Sequence, residues 1–490
     1  MTFGQHVSWA HGASVNRNTE IGTDHPRFAR AVAVFIVFLA IFALSPVRQF
    51  SDAAYSLLVS EVLLRDGSFA LDEVIERPLD PTRHPTSARG ELPYHLREHR
   101  GHLYYQYPPG TSILSVPFVA VSHLFGMSAL FPDGSYNYRE ERRMQLRLAA
   151  LLMACFVVVV DRMATRLLPA PWGLTVTVAA ALATQVWSTA SRGLWSHTWA
   201  ILLVVLAVDH LLRVETGSGR LRPIVLATVL CWAYFTRPTM AIGVVGVGIY
   251  LALRHRHSIA AYGATVIGWL ALFVTMSWTL YGTLLPPYYR PGKLGTAEFW
   301  TGLAGNLVSP SRGLLVFLPF LPVIGYWLVR YRRQSALMPL AALGCLAATA
   351  HLLVIASFPI WWGGDGYGPR LMTDAVPWLV LVSLVAVQGR LAAEHRAGPR
   401  RSGRFRVETC VAGALVAAAV FVHAVGALSH ATNEWNWTPI RVDEAPERVW
   451  NWRDPQFLAP FHARPGRGSV ADVTDEKHLG GGATSDRAPA

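Results

Sequence analysis

The sequence predicts an all-α polytopic membrane protein of about 11 transmembrane helices, on three observations. Of its 490 residues, 52% are hydrophobic and only 15% charged, a balance outside the range of soluble domains. Apolar runs of bilayer length, about 20 residues each, recur along the chain. Arginines punctuate those runs in a regular alternation of the kind that sets membrane orientation.

Residues 1–27 read as a polar cytoplasmic tail. The first apolar run, 28–46, lacks a small-x-small cleavage site and is expected to stay as an uncleaved anchor. Further crossings are expected at 145–167, 174–194, 195–213, 222–236, 238–253, 258–281, 314–329, 335–356, 371–389 and 407–428. With the N-terminus cytoplasmic, every inside loop is basic: Arg162 and Arg166; Arg213, Arg220 and Arg222; Arg254 and Arg256; Arg330, Arg332 and Arg333; and the cluster between Arg390 and Arg406. An odd number of crossings then puts the C-terminus outside. The apolar stretch 111–125 is short, and counting it as a crossing would put two of those basic loops outside. It is read as a juxtamembrane or re-entrant helix, entered through Pro108-Pro109-Gly110.

The transmembrane domain thus spans 28–428, with outer loops at 47–145, 282–313 and 359–370. An extracytoplasmic segment follows at 429–463, then a Gly- and Ala-rich tail, 464–490, expected to be disordered. A net charge of +12 could point to nucleic acid, but no such module is present and the charge is better read as topology. Cys155, Cys231, Cys345 and Cys410 all lie in apolar runs without metal or redox spacing.

Basic residues in outer loops need a reason, and an anion is one. Arg192, Arg237, Arg290, Lys293, Arg312 and Arg370 all fall there, and Lys293 stands out because Lys477 is the only other lysine. From this set Arg192, Arg290, Lys293, Arg312 and Arg370 are taken as candidate phosphate ligands, with Tyr107 from the first loop. The alternative is snorkelling to headgroups, or local pairing such as Arg370 with Asp374. Asp52 lies at the lipid–water boundary just after the first run, where a lipid-borne substrate presents its headgroup. It heads a helix whose apolar face (Leu57, Leu58, Val62) is expected to lie along the membrane. Ser51 or Asp52 could equally serve as that helix's N-cap.

His84, His95, His99 and His102 make a zinc site conceivable, His95 and His99 having helical spacing, although no cysteine or carboxylate completes it. Outer tryptophans (Trp361, Trp362, Trp435, Trp437, Trp450, Trp452) suit an interfacial belt or a sugar-stacking surface. Asp161 and Asp209 are expected to pair locally with Arg162 and Arg213.

The stretch "FSDAAYSLLVSEVLLRDGSFALDE", followed by "GHLYYQYPPGTSILSVPF", resembles the first outer loop of the GT-C-fold glycosyltransferases of the protein O-mannosyltransferase and lipid A aminoarabinose transferase branch. "NLVSPSRGLLVFLPFLP" and "WWGGDGYGPRLMTDAVPWL" resemble later outer motifs of bacterial members, so that the likeness covers roughly 28–460. It implies inverting transfer of a sugar from a polyprenyl-phosphate donor to a glycan, lipid or protein acceptor on the outer face. Asp52 matches the general base, and basic residues offset the charge of the leaving phosphate. No cofactor and no obligatory divalent metal are implied. Many relatives carry a second acid beside the first, where this chain has Ala53, leaving Asp72 or Glu73 as possible substitutes. The competing readings are a flippase, and a polymerase or ligase of lipid-linked glycans without a carboxylate base.

Overall fold

The computed structural model describes residues 24–50, 52–75, 92–289, 294–295, 297–398 and 402–462. Among these, seven helices are long and apolar enough to cross a membrane. They are α1 (Asp24–Leu44), α4 (Tyr138–Leu167), α6 (Ser196–Glu215), α9 (Ile259–Tyr281), α13 (Met338–Ala356), α14 (Val376–Ala397) and α15 (Ser402–Leu428). The shorter helices are α2 (Ser56–Asp66), α3 (Gly110–His123), α5 (Ala170–Leu182), α7 (Pro223–Thr236), α8 (Ala241–Arg254), α10 (Phe299–Val308), α11 (Leu314–Phe317) and α12 (Leu321–Arg330). The chain is therefore a helical multi-pass membrane protein.

Two expected crossings are discontinuous. In 314–329, Pro319 and Pro322 remove backbone donors, and the helix breaks between Phe317 and Leu321. In 174–194, α5 stops at Leu182 and a π-turn at Val186–Ala190 follows. In the centre of the bundle, α14 packs against α12 and α13, and α4 against α1 and α6. Trp327 and Trp378 are fully buried there.

The arginines divide the bundle into a basic end and a loop end. At the basic end ion pairs join helices. Asp161 takes a two-pronged bond from Arg30 of α1, at 2.8 and 2.6 Å, rather than pairing with its neighbour Arg162. Asp209 receives both Arg166 and Arg213.

At the loop end the first long loop builds its own small core from Tyr55, Leu58, Val62, Leu71, Leu103 and Tyr136. The helix expected on the membrane surface is instead wrapped in protein, since Ser56 through Val62 of α2 are all buried. His95 and His99 do not share a helix: His95 lies in a turn and His99 ends the strand that follows it. Strand β1 (Leu96–His99) pairs antiparallel with β2 (His102–Tyr105), Leu96 facing Tyr105 and His99 facing His102. Arg100 and Gly101 turn the hairpin with φ of 51° and 81°, the backbone of a tight primed turn.

Asp52 does not cap α2, and Ser51 lies outside the described residues. Tyr55 precedes the helix in a left-handed conformation, and the buried Glu141 carboxylate of α4 accepts from the amides of Tyr55, Leu57 and Leu58 at 3.1, 2.8 and 3.3 Å. An acceptor at a helix N-terminus satisfies donors that have no partner within the helix. The Asp52 side chain therefore takes no part in capping α2.

Candidate active site

The exit of α1 is stitched to the start of α6. The Gln49 amide donates to the Arg192 carbonyl at 2.7 Å, and a Cβ on Gly193 would fall 2.0 Å from the Gln49 carbonyl oxygen, so only glycine fits that crossing. This close approach brings the segment after Gln49 alongside Trp195, the residue preceding α6. From the hairpin, the Tyr105 hydroxyl holds the Asp52 carbonyl at 2.8 Å.

The Asp52 carboxylate thus reaches the middle of a polar cluster. Its Oδ1 accepts from the Tyr107 hydroxyl at 3.1 Å and its Oδ2 from Arg370 Nη1 at 3.2 Å. The side chain retains 32% exposure, enough to meet a ligand. Burial pushes the Asp52 carboxyl upward, but the charges of Arg370 and His95, the Tyr107 hydrogen bond and the charge of Arg237 outweigh it, and the group is held below its ordinary value. Tyr107 moves the other way. Burial and the nearby Asp52 charge raise it well above the usual tyrosine value, so it stays a neutral O–H donor. Its ring lies 4.9 Å from Tyr288.

Arg370 opens the short 3₁₀ helix (Arg370–Ala375) that leads into α14. Its guanidinium lies 4.3 Å over the Trp195 ring, and its Nε is buried without a hydrogen-bond partner among the described residues. It does not pair with Asp374. That carboxylate is buried and bound to His197 Nδ1 at 2.6 Å, Arg237 Nε at 2.5 Å and the Thr239 hydroxyl at 2.6 Å. Arg237, whose field reaches Asp52, is thereby anchored beside the site.

The structure brings together Asp52, Tyr107 and Arg370 and sets Arg192 and Arg312 apart. Arg192 is buried and caps the end of α1, donating to the carbonyls of Ser45, at 2.7 Å, and Phe42. Arg312 is buried in the C-terminal packing, bound to the carbonyls of Trp362 at 2.8 Å, Ser311 at 2.8 Å and Gly364 at 3.3 Å, and to Gln456 and Asn436. Both spend their donors on the protein itself. Arg290 and Lys293 lie outside the described residues, as does His84. Ala53 is buried. Asp72 holds the hairpin through His102 and the Leu103 amide at 2.9 Å each, and Glu73 lies nearest Arg65, at 3.7 Å. No group of three metal-ligating side chains occurs among the described residues. Of the outer tryptophans, Trp361 and Trp435 are core residues and Trp362 donates to Asp443 at 2.9 Å.

Sequence reasoning missed Trp195 and Glu141 and took His95 as a possible metal ligand, where the structure sets its charge beside Asp52. Each matters through a partner far away in sequence.

No protein-family model and no curated protein matches the sequence. Among solved structures the chain is similar to ArnT from Cupriavidus metallidurans bound to undecaprenyl phosphate, at 14% identity and a TM-score of 0.46, over 85% of this chain and 69% of that one. It is similar also to the Archaeoglobus fulgidus oligosaccharyltransferase tethered to an acceptor peptide containing the NVT sequon, at 10% identity and a TM-score of 0.48, over 91% of this chain and 61% of that one. The apo form of that enzyme gives 10% identity and a TM-score of 0.47, over 89% and 61%. Both proteins are GT-C-fold glycosyltransferases.

Proposed function

We propose that the chain is an integral-membrane glycosyltransferase that moves a sugar from a polyprenyl-phosphate donor to an acceptor hydroxyl at the extracytoplasmic face, with inversion. The observation that carries this reading is the Tyr107–Asp52–Arg370 arrangement. It is a partly exposed carboxylate at the end of the first crossing, hydrogen-bonded on one oxygen to a tyrosine and on the other to an arginine stacked on Trp195.

In this reaction the acceptor oxygen attacks the anomeric carbon while the bond from that carbon to the phosphate oxygen breaks. The acceptor proton passes to Asp52, and the lipid phosphate leaves with the bonding electrons. Arg370 touches the base through Nη1 and sets its charge beside the leaving oxyanion, and Arg237 adds positive potential from beside the site. Tyr107 steers the carboxylate without competing for the proton. Trp195 fixes the plane of the Arg370 guanidinium by stacking. Arg290 and Lys293 are assigned to the same anion site on their sequence positions. The loop end then faces outward, with the N-terminus cytoplasmic and the C-terminal segment extracytoplasmic.

The test is transfer in membranes supplied with polyprenyl-phosphate sugars, read as release of polyprenyl phosphate. Asp52→Asn is expected to lose about 10²–10⁴-fold in rate while the chain stays folded. Full activity in that variant would remove Asp52 as the base. Envelope glycans and glycoproteins of a deletion strain, compared by mass spectrometry, would name the sugar and the acceptor.

A further inference from the structure

Arg370 follows a segment that has little stiffness of its own. Between Trp362 and Arg370 lie Gly363, Gly364, Gly366 and Gly368, three of them at positive φ of 77°, 60° and 57°. Glycine gives up more conformational freedom on ordering than any other residue. A side chain delivered by such a loop is placed accurately only if something outside the loop holds the backbone.

The C-terminal segment provides that hold. Gln456 is fully buried and accepts the Gly368 amide at 3.2 Å, two residues before Arg370, while its amide nitrogen donates to the Gly366 carbonyl at 3.1 Å. The same nitrogen reaches the Thr432 carbonyl and Asn436 Oδ1, both at 3.0 Å. Asn436 in turn donates to the Asp365 carbonyl at 2.8 Å and the Gly366 carbonyl at 3.3 Å. Arg312 fixes the Trp362 and Gly364 carbonyls and also binds Gln456. At the rim, Arg441 pairs with Asp365 at 2.9 Å. From Gly368 the connection to the site is direct, since the Arg370 amide donates to the Gly368 carbonyl at 2.8 Å.

We infer that Gln456, joined to Arg312 and Asn436, is a positioning residue of the active site: it holds the glycine-rich loop so that Arg370 stands against Asp52 and Trp195. This inference rests on the reading of Arg370 as the anion-binding group. It gives the segment 429–462 a task in the reaction rather than only a place in the fold, and it assigns Arg312 to the support of the anion site.

Binding of farnesyl phosphate to the full-length chain in nanodiscs, measured by calorimetry, tests it through a double-mutant cycle. Arg370→Ala is expected to weaken binding about tenfold or more, and Gln456→Leu to weaken it by a similar factor. Their combination is expected to be no weaker than Arg370→Ala alone, because the second change acts only through the first. A purely structural role would give losses that multiply. Wild-type affinity in Gln456→Leu, or multiplying losses, overturns the inference while leaving the anion site intact. No change in Arg370→Ala overturns the anion site itself. If Gln456→Leu fails to fold, Arg441→Gln at the exposed rim decides. A two- to threefold loss that vanishes on the Arg370→Ala background supports the inference, and wild-type affinity overturns it.

Discussion

Arg370 and Arg312 both follow short polar turns at the loop end, both lie near tryptophan, and in the sequence they look alike. What separates them is where their N–H groups go. Arg312 gives its donors to backbone carbonyls and two side-chain amides in a fully buried knot. Arg370 gives one donor to the partly exposed Asp52 carboxylate and rests its face on Trp195. A charge whose donors are consumed by buried carbonyls stabilises the protein around it, whereas one paired with a partly exposed carboxylate can act on something else. Arg192, spent on the end of α1, belongs with Arg312.

The widest separation between the two arginines should come from removing each side chain. Arg370→Ala is expected to lower transfer about 100-fold while changing stability by less than about 1 kcal/mol, its ion pair being partly solvated. Arg312→Met is expected to cost about 3 kcal/mol of stability, because it strands several buried carbonyls. Rates in membranes and thermal unfolding in detergent check both, and equal unfolding midpoints would erase the distinction. Arg370→Lys is a milder probe. It keeps the charge but loses the planar stack on Trp195 and the fork of donors, and a loss of about tenfold in transfer is expected. A lysine variant with wild-type rates would show that charge alone suffices.

The smallest effect is a shift in pH dependence. Asp52 must be ionised to accept a proton, and its carboxyl is held below its usual value by Arg370, His95, Tyr107 and Arg237 against the upward push of burial. The wild-type rate should therefore fall only below the ordinary carboxylate range, as pH drops through the lowered value. The stability this group contributes, present above the unfolded-state value, is lost in the same descent. Arg370→Ala removes one of the lowering causes, so its acid limb should move to less acidic pH. A pH–rate profile of the residual activity reads this directly, and an unmoved limb would mean that another base is at work.

These contrasts also explain how much the sequence disclosed. The bundle, the long first loop and the boundary position of Asp52 follow from apolar length, arginine alternation and a local motif, all carried by neighbouring residues. The assignment of each arginine does not. Arg192, Arg312 and Arg370 differ only through partners remote in the chain: Phe42 and Ser45, Gln456 and Asn436, and Asp52 and Trp195. Burial along α2 was hidden for the same reason, since its first backbone amides meet Glu141, and Glu61 meets His123 at 2.6 Å. The break in 314–329 was legible in Pro319 and Pro322, but an apolar run reads as continuous when only its hydrophobicity is summed.

Glu141, by taking over the amides at the start of α2, has one more implication. On the proposed reading, the capping of α2 and the reaction reside on separate carboxylates, so that removing the base is expected to leave the start of α2 capped. An Asp52→Asn copy embedded in native lipid is then expected to act as a trap that seats both reactants and converts neither. The molecules that co-purify with it would then identify the substrates by capture instead of by turnover.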